Sequence, residues 1–377
     1  MTDGSTNIAA DGTPGRAQAR TDADAAARAV AASHVPALVV DISPRPRPEP
    51  EALPTPADGR CGSNPAGGRH GAAHRASGMS ALGWEREGRD WPHRAASRFV
   101  QDSGLRWHVQ VMGQGPAILL LHGTGASTHS WRDIMPALAG CYTVIAPDLP
   151  GHGFTRGRVS GGPTLPRMAR ALRGLLEHLE AKPVAIVGHS AGAAIALELA
   201  RGHDTPVIGF SPALTPFPGL AARLFPALAK MLFVNPFVPS IFARMARRPG
   251  EVERFIHRAT NSRIDATGLR CYTALIGNSD HCAGALAMMA HWDLETLSRQ
   301  LPSISSPVLL AHGTNDNAVP FTSAQQACTR LPDAKLVPLE GLGHLAHEEQ
   351  PDQAAGLILQ FLADRASLPV AAQGEQR

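Results

Sequence analysis

Between residues 184 and 201 the chain passes from an unbroken apolar run, Val184-Ala185-Ile186-Val187, through Gly188-His189-Ser190-Ala191-Gly192 into a helix-compatible run from Ala193 to Arg201. The first run reads as a buried strand, and the two glycines let the backbone turn sharply into the helix that follows. Such a turn lifts the serine hydroxyl above the sheet and aims the helix's N-terminal NH groups at it. A bare G-x-S-x-G sequence arises by chance in many chains. The flanking strand and helix are what make Ser190 a candidate nucleophile.

The surrounding pattern has the same grain. Short apolar runs bounded by Gly, Pro or Asp recur at Ala117 to Leu121, Tyr142 to Ala146, Val207 to Phe210, Val308 to Ala311 and Lys335 to Leu339, mostly separated by helix-length segments. This alternation predicts an α/β fold, a mainly parallel sheet covered by helices on both faces, whose ligands bind at the carboxyl ends of the strands. Upstream, an alternating pattern from Ala96 to Met112, broken at Asp102-Ser103-Gly104, predicts a β-hairpin. The interval from Ala213 to Pro307 is too long for a simple crossover, and Leu220 to Met245 and Gly284 to Leu297 carry helical patterning. A helical cap over 214–306 is therefore expected, between core segments 79–213 and 307–365. Leu224 to Ala243 is strongly apolar, but Pro226, Pro236, Pro239 and Lys230 argue against a bilayer span. A packed lid is the expectation there, with an apolar substrate wall or a membrane-surface contact as alternatives.

Residues 1–78 are dominated by Ala, Arg, Pro, Gly and Asp, including the run Ser43 to Pro50, and cannot bury enough apolar surface to offset the entropy lost on ordering. A disordered tail is expected there and over 366–377. Met79 opens the first globular-looking segment, so translation from that residue is an alternative start. The odd cysteine count, at positions 61, 141, 271, 282 and 328 without C-x-x-C spacing, argues against a disulfide framework or a zinc site. No basic segment followed by an apolar core opens the chain, and a cytoplasmic location is expected. A formal net charge of only +3, without aromatic-interleaved basic patches, gives no support to nucleic acid as a partner. Neither a G-x-x-x-x-G-K-S/T loop nor a dinucleotide G-x-G-x-x-G opens a crossover helix, so no cofactor is expected. His347 and Glu348 beside His344 do not form H-E-x-x-H, and no metal is expected either.

A serine hydroxyl needs a base to take its proton, and the base needs an acid to fix its tautomer. Gly313-Thr314-Asn315-Asp316 and Gly341-Leu342-Gly343-His344 each follow a predicted strand, so the order Ser190, Asp316, His344 supplies both partners. His122-Gly123-Thr124-Gly125 follows another strand and can aim the Thr124 NH at the same point as the Ala191 NH, forming an oxyanion hole, with His122 bracing the loop. Asp148 to Phe154 reads as a shaped structural loop beneath the active edge. Substrate contacts are expected from Gly123, Gly125 and His189 around the turn and from Phe225, Phe233, Met288 and Trp292 in the cap. Serine rather than aspartate at 190 favours acyl transfer to water over alkyl-enzyme chemistry.

Together these pieces resemble the α/β-hydrolase superfamily from about Ala96 to Leu362. A narrower resemblance rests on Trp91 to Val100 (WPHRAASRFV), His122 to Asp133 (HGTGASTHSWRD), Asp148 to Thr155 (DLPGHGFT), Gly188 to Ala194 (GHSAGAA), Gly284 to Leu294 (GALAMMAHWDL) and Gly341 to Pro351 (GLGHLAHEEQP). These phrases are similar to the BchO family, magnesium-chelatase accessory proteins of bacteriochlorophyll synthesis. His291 stands where that family's pattern has Asn, and the long N-terminal segment is not part of it. The resemblance implies a role near magnesium insertion into protoporphyrin, with a tetrapyrrole or magnesium chelatase as partner. The residues themselves imply hydrolysis of an apolar ester or thioester. A non-catalytic porphyrin-binding or chelatase-binding accessory is the alternative.

Overall fold

The computed structural model describes residues 82–216, 235 and 237–366. The expected tail 1–78, nearly all of 366–377, Met79, Cys61, and Phe225, Pro226, Lys230, Phe233 and Pro236 of the expected cap lie outside the described residues.

The strands are β1 (Ser97–Asp102), β2 (Leu105–Met112), β3 (Ala117–Leu121), β4 (Thr143–Pro147), β5 (Pro183–His189), β6 (Val207–Phe210), β7 (Val308–Gly313) and β8 (Ala334–Leu339). They form one eight-stranded sheet in the order β1-β2-β4-β3-β5-β6-β7-β8. The β1–β2 hairpin and its β2–β4 junction are antiparallel, and every pairing from β4 to β8 is parallel. All residues of β3, β4, β6 and β7 are buried, as continuous apolar runs require when helices cover both sheet faces. Alternate residues serve opposite cores. Leu119, Leu121 and Ile186 pack with Leu172, Leu175 and Ile195 on one face, whereas Ile118, Leu120 and Val187 pack with Leu138, Ile358 and Phe361 on the other.

The first face is covered by α2 (Leu165–His178) and α3 (Ala191–Ala200), and the second by α1 (Met135–Ala139) and α11 (Pro351–Ala366). Between β6 and β7 the described chain carries α4 (Val238–Met245), α5 (Glu251–Thr260), α6 (Ala266–Ile276), α7 (Ser279–Ala290) and α8 (Leu294–Gln300). The helix expected over Gly284 to Leu297 is two helices. Asp293 interrupts it by capping α8, its Oδ1 accepting from the NH groups of Glu295 and Thr296 at 3.0 and 3.2 Å. The last two helices before the C-terminal one are α9 (Phe321–Cys328) and the short α10 (Ala346–Glu349).

β3 lies between β4 and β5, so the chain leaves β3 to one side and β5 to the other. Loops that diverge in this way open a crevice above the carboxyl ends. Registers Leu121↔Gly188, His189↔Phe210, Phe210↔Ala311 and Gly313↔Leu339 bring the loops after β3, β5, β7 and β8 to that one edge.

Helix α7 reaches the core through a contact of two glycines. A Cβ on Gly284 would stand 1.9 Å from the Gly151 carbonyl oxygen, so only glycine lets the helix approach the Asp148–Phe154 loop. Gly284→Ala is therefore expected to cost about 1–3 kcal/mol by overpacking, a fall in melting temperature of roughly 2–10 °C. Scanning calorimetry checks it; an unchanged melting temperature would mean that the helix can retreat freely.

Candidate active site

Ser190 caps α3 with φ 51 and ψ −116, a backbone state that a non-glycine residue adopts only where its surroundings hold it there. The hold is visible. Its NH donates to Phe210 O at 3.0 Å, and its carbonyl accepts from Ala193 and Ala213 NH at 3.1 and 3.2 Å. The turn can be this sharp because a Cβ on Gly192 would lie 2.2 Å from Leu121 O, and one on Gly188 2.5 Å from the Ala193 backbone. The first NH groups of α3 are left without partners inside the helix and face the crevice end of the sheet.

Asp316 and His344 come to the same edge from β7 and β8. His344 Nδ1 donates to Asp316 Oδ2 at 2.7 Å, while Asp316 Oδ1 accepts from the NH groups of Ala318 and Val319 at 2.7 and 2.8 Å. Burial alone would raise the Asp316 pKa. Hydrogen bonds from His312 and His344 overcome that and hold the carboxyl below the usual carboxylate range. Ser190 and His344 both line one cavity of about 1220 Å³, and Thr124, Gly125 and Ala191 also belong to its lining.

The remaining candidates take distinct places. Ala126 NH closes a turn onto Gly123 O at 3.2 Å, with Gly125 at φ 80, and this turn carries Thr124. Gly123 sits behind the nucleophile rather than in the wall: a Cβ there would be 3.1 Å from Ser190 Cβ. His189 backs the cavity and is committed to position, its Nε2 donating to His344 O at 3.0 Å. Burial, with His347 and His344 nearby, pushes the His189 pKa well down. Trp292 lies in the cavity wall. Met288, expected to contact substrate, is fully buried, and its sulfur accepts from Thr124 Oγ1 at 3.6 Å. Met289 faces the cavity instead, because one residue along a helix is a turn of about 100°. His122 Nε2 accepts from Leu149 NH at 2.9 Å and Nδ1 donates to Gly123 O at 2.8 Å, tying the loops after β3 and β4 together. Asp148 is a fully buried brace whose Oδ2 accepts from His108 Nδ1 at 2.8 Å and Phe154 NH at 2.7 Å.

Several residues that matter to this geometry carried little signal in the sequence. His312, buried at the end of β7, lies with Nε2 2.9 Å from Val319 O and 3.2 Å from Asp316 Oδ2, so two imidazoles flank one carboxylate oxygen. Its position four residues before the acid was the available clue. The His344 loop is pinned from the helical segment: His344 NH donates to Thr260 O, and Leu345 NH to Ser262 Oγ, both at 2.8 Å. Glu349 Oε1 accepts from Gly343 NH at 2.8 Å. Beneath, Tyr272 of the cavity wall donates to Glu348 Oε1 at 2.8 Å, and Arg132 bridges Glu348 Oε2 and Asp265 Oδ1 at 2.6 and 2.7 Å. Burial raises Glu348 to about 7 despite that partner.

The cavity is mainly apolar, with Phe242, Ile256, Ile276, Leu286 and Met289 contributed by α4 to α7; Asp293, the α8 cap, and Glu295, paired with Arg299 at 3.5 Å, also belong to its lining. Among the described residues no group of His, Cys, Asp and Glu side chains could hold a metal ion. No helix among them is long and apolar enough to cross a membrane.

Comparison with known proteins bears on the family and the fold. Residues 118–357 match the alpha/beta hydrolase family. The magnesium-chelatase 30 kDa subunit of Rhodobacter capsulatus is 42% identical over 278 residues, covering 72% of this chain and 96% of that protein. Pimeloyl-[acyl-carrier protein] methyl ester esterase of Aromatoleum aromaticum is 32% identical, covering 64% and 96%. The structure of the epoxide hydrolase CorEH superposes with a TM-score of 0.61 at 23% identity, covering 71% of this chain and 99% of that one, a likeness of fold. The chain therefore belongs to the alpha/beta hydrolase family and is similar over most of its length to the magnesium-chelatase 30 kDa subunit.

Proposed function

We propose that the protein is a serine hydrolase that cleaves an apolar ester or thioester through an acyl-enzyme. The observation that carries this reading is the bonded pair His344–Asp316, 2.7 Å apart, opening with Ser190 into one large apolar cavity. In the proposed reaction His344 Nε2 removes the Ser190 proton as Oγ attacks the acyl carbon, and the Thr124 and Ala191 NH groups receive the developing oxyanion. His344 then protonates the leaving alkoxide or thiolate, and a water activated by the same imidazole releases the acid. Asp316, held ionised, keeps the proton of His344 on Nδ1 and so leaves Nε2 free to act as base. Asp293 and Glu295 in the cavity lining disfavour an anionic group beside them. The cavity is large enough for a bulky apolar substrate, a tetrapyrrole ester among them.

A fluorophosphonate probe tests the reading: it is expected to label Ser190 in the folded protein and not in the denatured chain. Absence of labelling in folded protein would count against it. His312 is assigned a positioning role through Asp316. His312→Leu is expected to lower kcat about tenfold to a hundredfold with little change in KM, and His312→Gln, which keeps a donor near Nε2, to recover most of it. Equal loss in both variants would reduce His312 to a packing residue.

The identity to a protein named as a magnesium-chelatase subunit supports a second reading, an accessory that binds porphyrin or the chelatase without turnover. The two readings differ in whether the Ser190 hydroxyl is needed.

A further inference from the structure

Among the described residues the large apolar side chains left exposed are Val184, Phe237, Ile241 and Phe255, and three of them fall between residues 237 and 255. Helix α4 already has a complete inner face: Val238 and Ala243 are buried, and Phe242 packs its ring 5.9 Å from that of Phe255 on α5. Its outer face repeats the apolar pattern. Phe237 and Ile241, one turn apart, are 72% and 62% exposed, and Arg244 follows on the same stripe. Among the described residues Phe237 and Ile241 form an apolar strip open to water beside exposed arginines.

Charge identifies the partner. Residues 237–258 hold five arginines, 244, 247, 248, 254 and 258, against Glu251 and Glu253, a local net of +3 that equals the formal net of the whole chain. All five arginines are exposed. A second copy seated on this face would bring those like charges together, whereas an anionic lipid headgroup layer would neutralise them. We propose that the α4–α5 face docks on an anionic phospholipid surface, Phe237 and Ile241 entering the headgroup boundary and the arginines pairing with lipid phosphates. Phe242 and Phe255 lie between this face and the cavity, since both also line it. If the protein hydrolyses an apolar substrate as proposed above, this places the bilayer beside the cavity wall that Phe242 and Phe255 help to form; docking itself does not depend on that reading.

The test is co-sedimentation of the full chain with vesicles of phosphatidylcholine mixed with phosphatidylglycerol, and with pure phosphatidylcholine vesicles. Binding to the mixed vesicles is expected to exceed binding to the neutral ones and to weaken in high salt. Arg244→Gln with Arg248→Gln is expected to weaken it about fivefold per arginine, and Phe237→Ser with Ile241→Ser by about tenfold or more, both with unchanged circular dichroism. No sedimentation of the wild type, or equal sedimentation of wild type and either double variant, overturns the proposal. So does a vesicle-independent dimer that the Phe237/Ile241 variant abolishes, which would assign the face to a second copy.

Discussion

Ser190→Ala is expected to abolish labelling by the serine probe and to lower ester hydrolysis about ten-thousand-fold or more, because no other group in the proposed unit can carry the acyl intermediate. Asp316→Asn is expected to approach the same loss through a different route. The amide can no longer accept from His344 Nδ1 with a charge, so the imidazole tautomer that bares Nε2 is no longer favoured. Because Oδ1 of Asp316 also accepts from Ala318 and Val319 NH, this variant strains its loop as well, and its folding must be checked by calorimetry. The decisive comparison returns Ser190→Ala to a strain lacking the gene. Pigment precursors accumulating there, with porphyrin and chelatase binding intact, are expected if the chemistry is the function. Full restoration by the alanine variant would transfer the assignment to the accessory reading.

A second large effect is expected from acid. Burial lowers the pKa of His122, His129, His152, His189, His281 and His347, with His281 at about 4 and His347 at about 3. In the unfolded chain each titrates near 6.5. As pH falls below that value the unfolded state takes up protons that the native state refuses, so the stability present above about 6.5 is lost toward the native values. Each such group contributes at most about 1.4 kcal/mol per pH unit, so His281 and His347 alone can remove up to about 3 kcal/mol per unit, a sizeable part of a typical total stability, and the other four act in the same direction. Asp148 and Asp316, both depressed, add losses of the same sign further down, below the ordinary carboxylate range. Glu348 acts oppositely, its contribution being lost as pH rises through about 7, but it is a single group. Urea melts at pH 7.5, 6 and 5 are therefore expected to show a steep fall in stability, the slope reporting several protons. A flat profile would show that these rings open to water in the native state. His347 isolates the effect: it lies fully buried against Trp131 and His189, ring centroids 4.8 and 4.3 Å away, and neither nitrogen has a hydrogen-bond partner among the described residues. His347→Leu is expected to be close to neutral at pH 7.5 and stabilising at pH 5.

The buried strands were legible in the sequence because both faces of the sheet are covered. Ala117–Leu121 and Val207–Phe210 stand as continuous apolar runs with the bounds read from the chain, and β1 and β2 meet at the predicted break. The turn at Ser190 was legible for a similar reason, since its requirements are local: a strand, two small residues where backbone approaches backbone, and a helix. Helical phase was harder to read. Met288 and Met289 have the same chemistry, and only the seating of α7 on Gly151 decides which one meets the cavity.

What the sequence determined alone, then, is the alternation of buried strands and helices, the strained turn that presents Ser190, and the order in which the loops bearing Asp316 and His344 leave the sheet. Those features depend on neighbours within a few residues, where periodicity and glycine placement act directly on the backbone. Tertiary structure decided what flanks each group: His312 beside Asp316, Thr260 and Ser262 holding the His344 loop, and Arg132 bonded to Glu348 across 216 positions. Such contacts join residues whose spacing along the chain carries no period, because burial and hydrogen-bond satisfaction are settled only when the helices between β6 and β7 come down on the sheet edge.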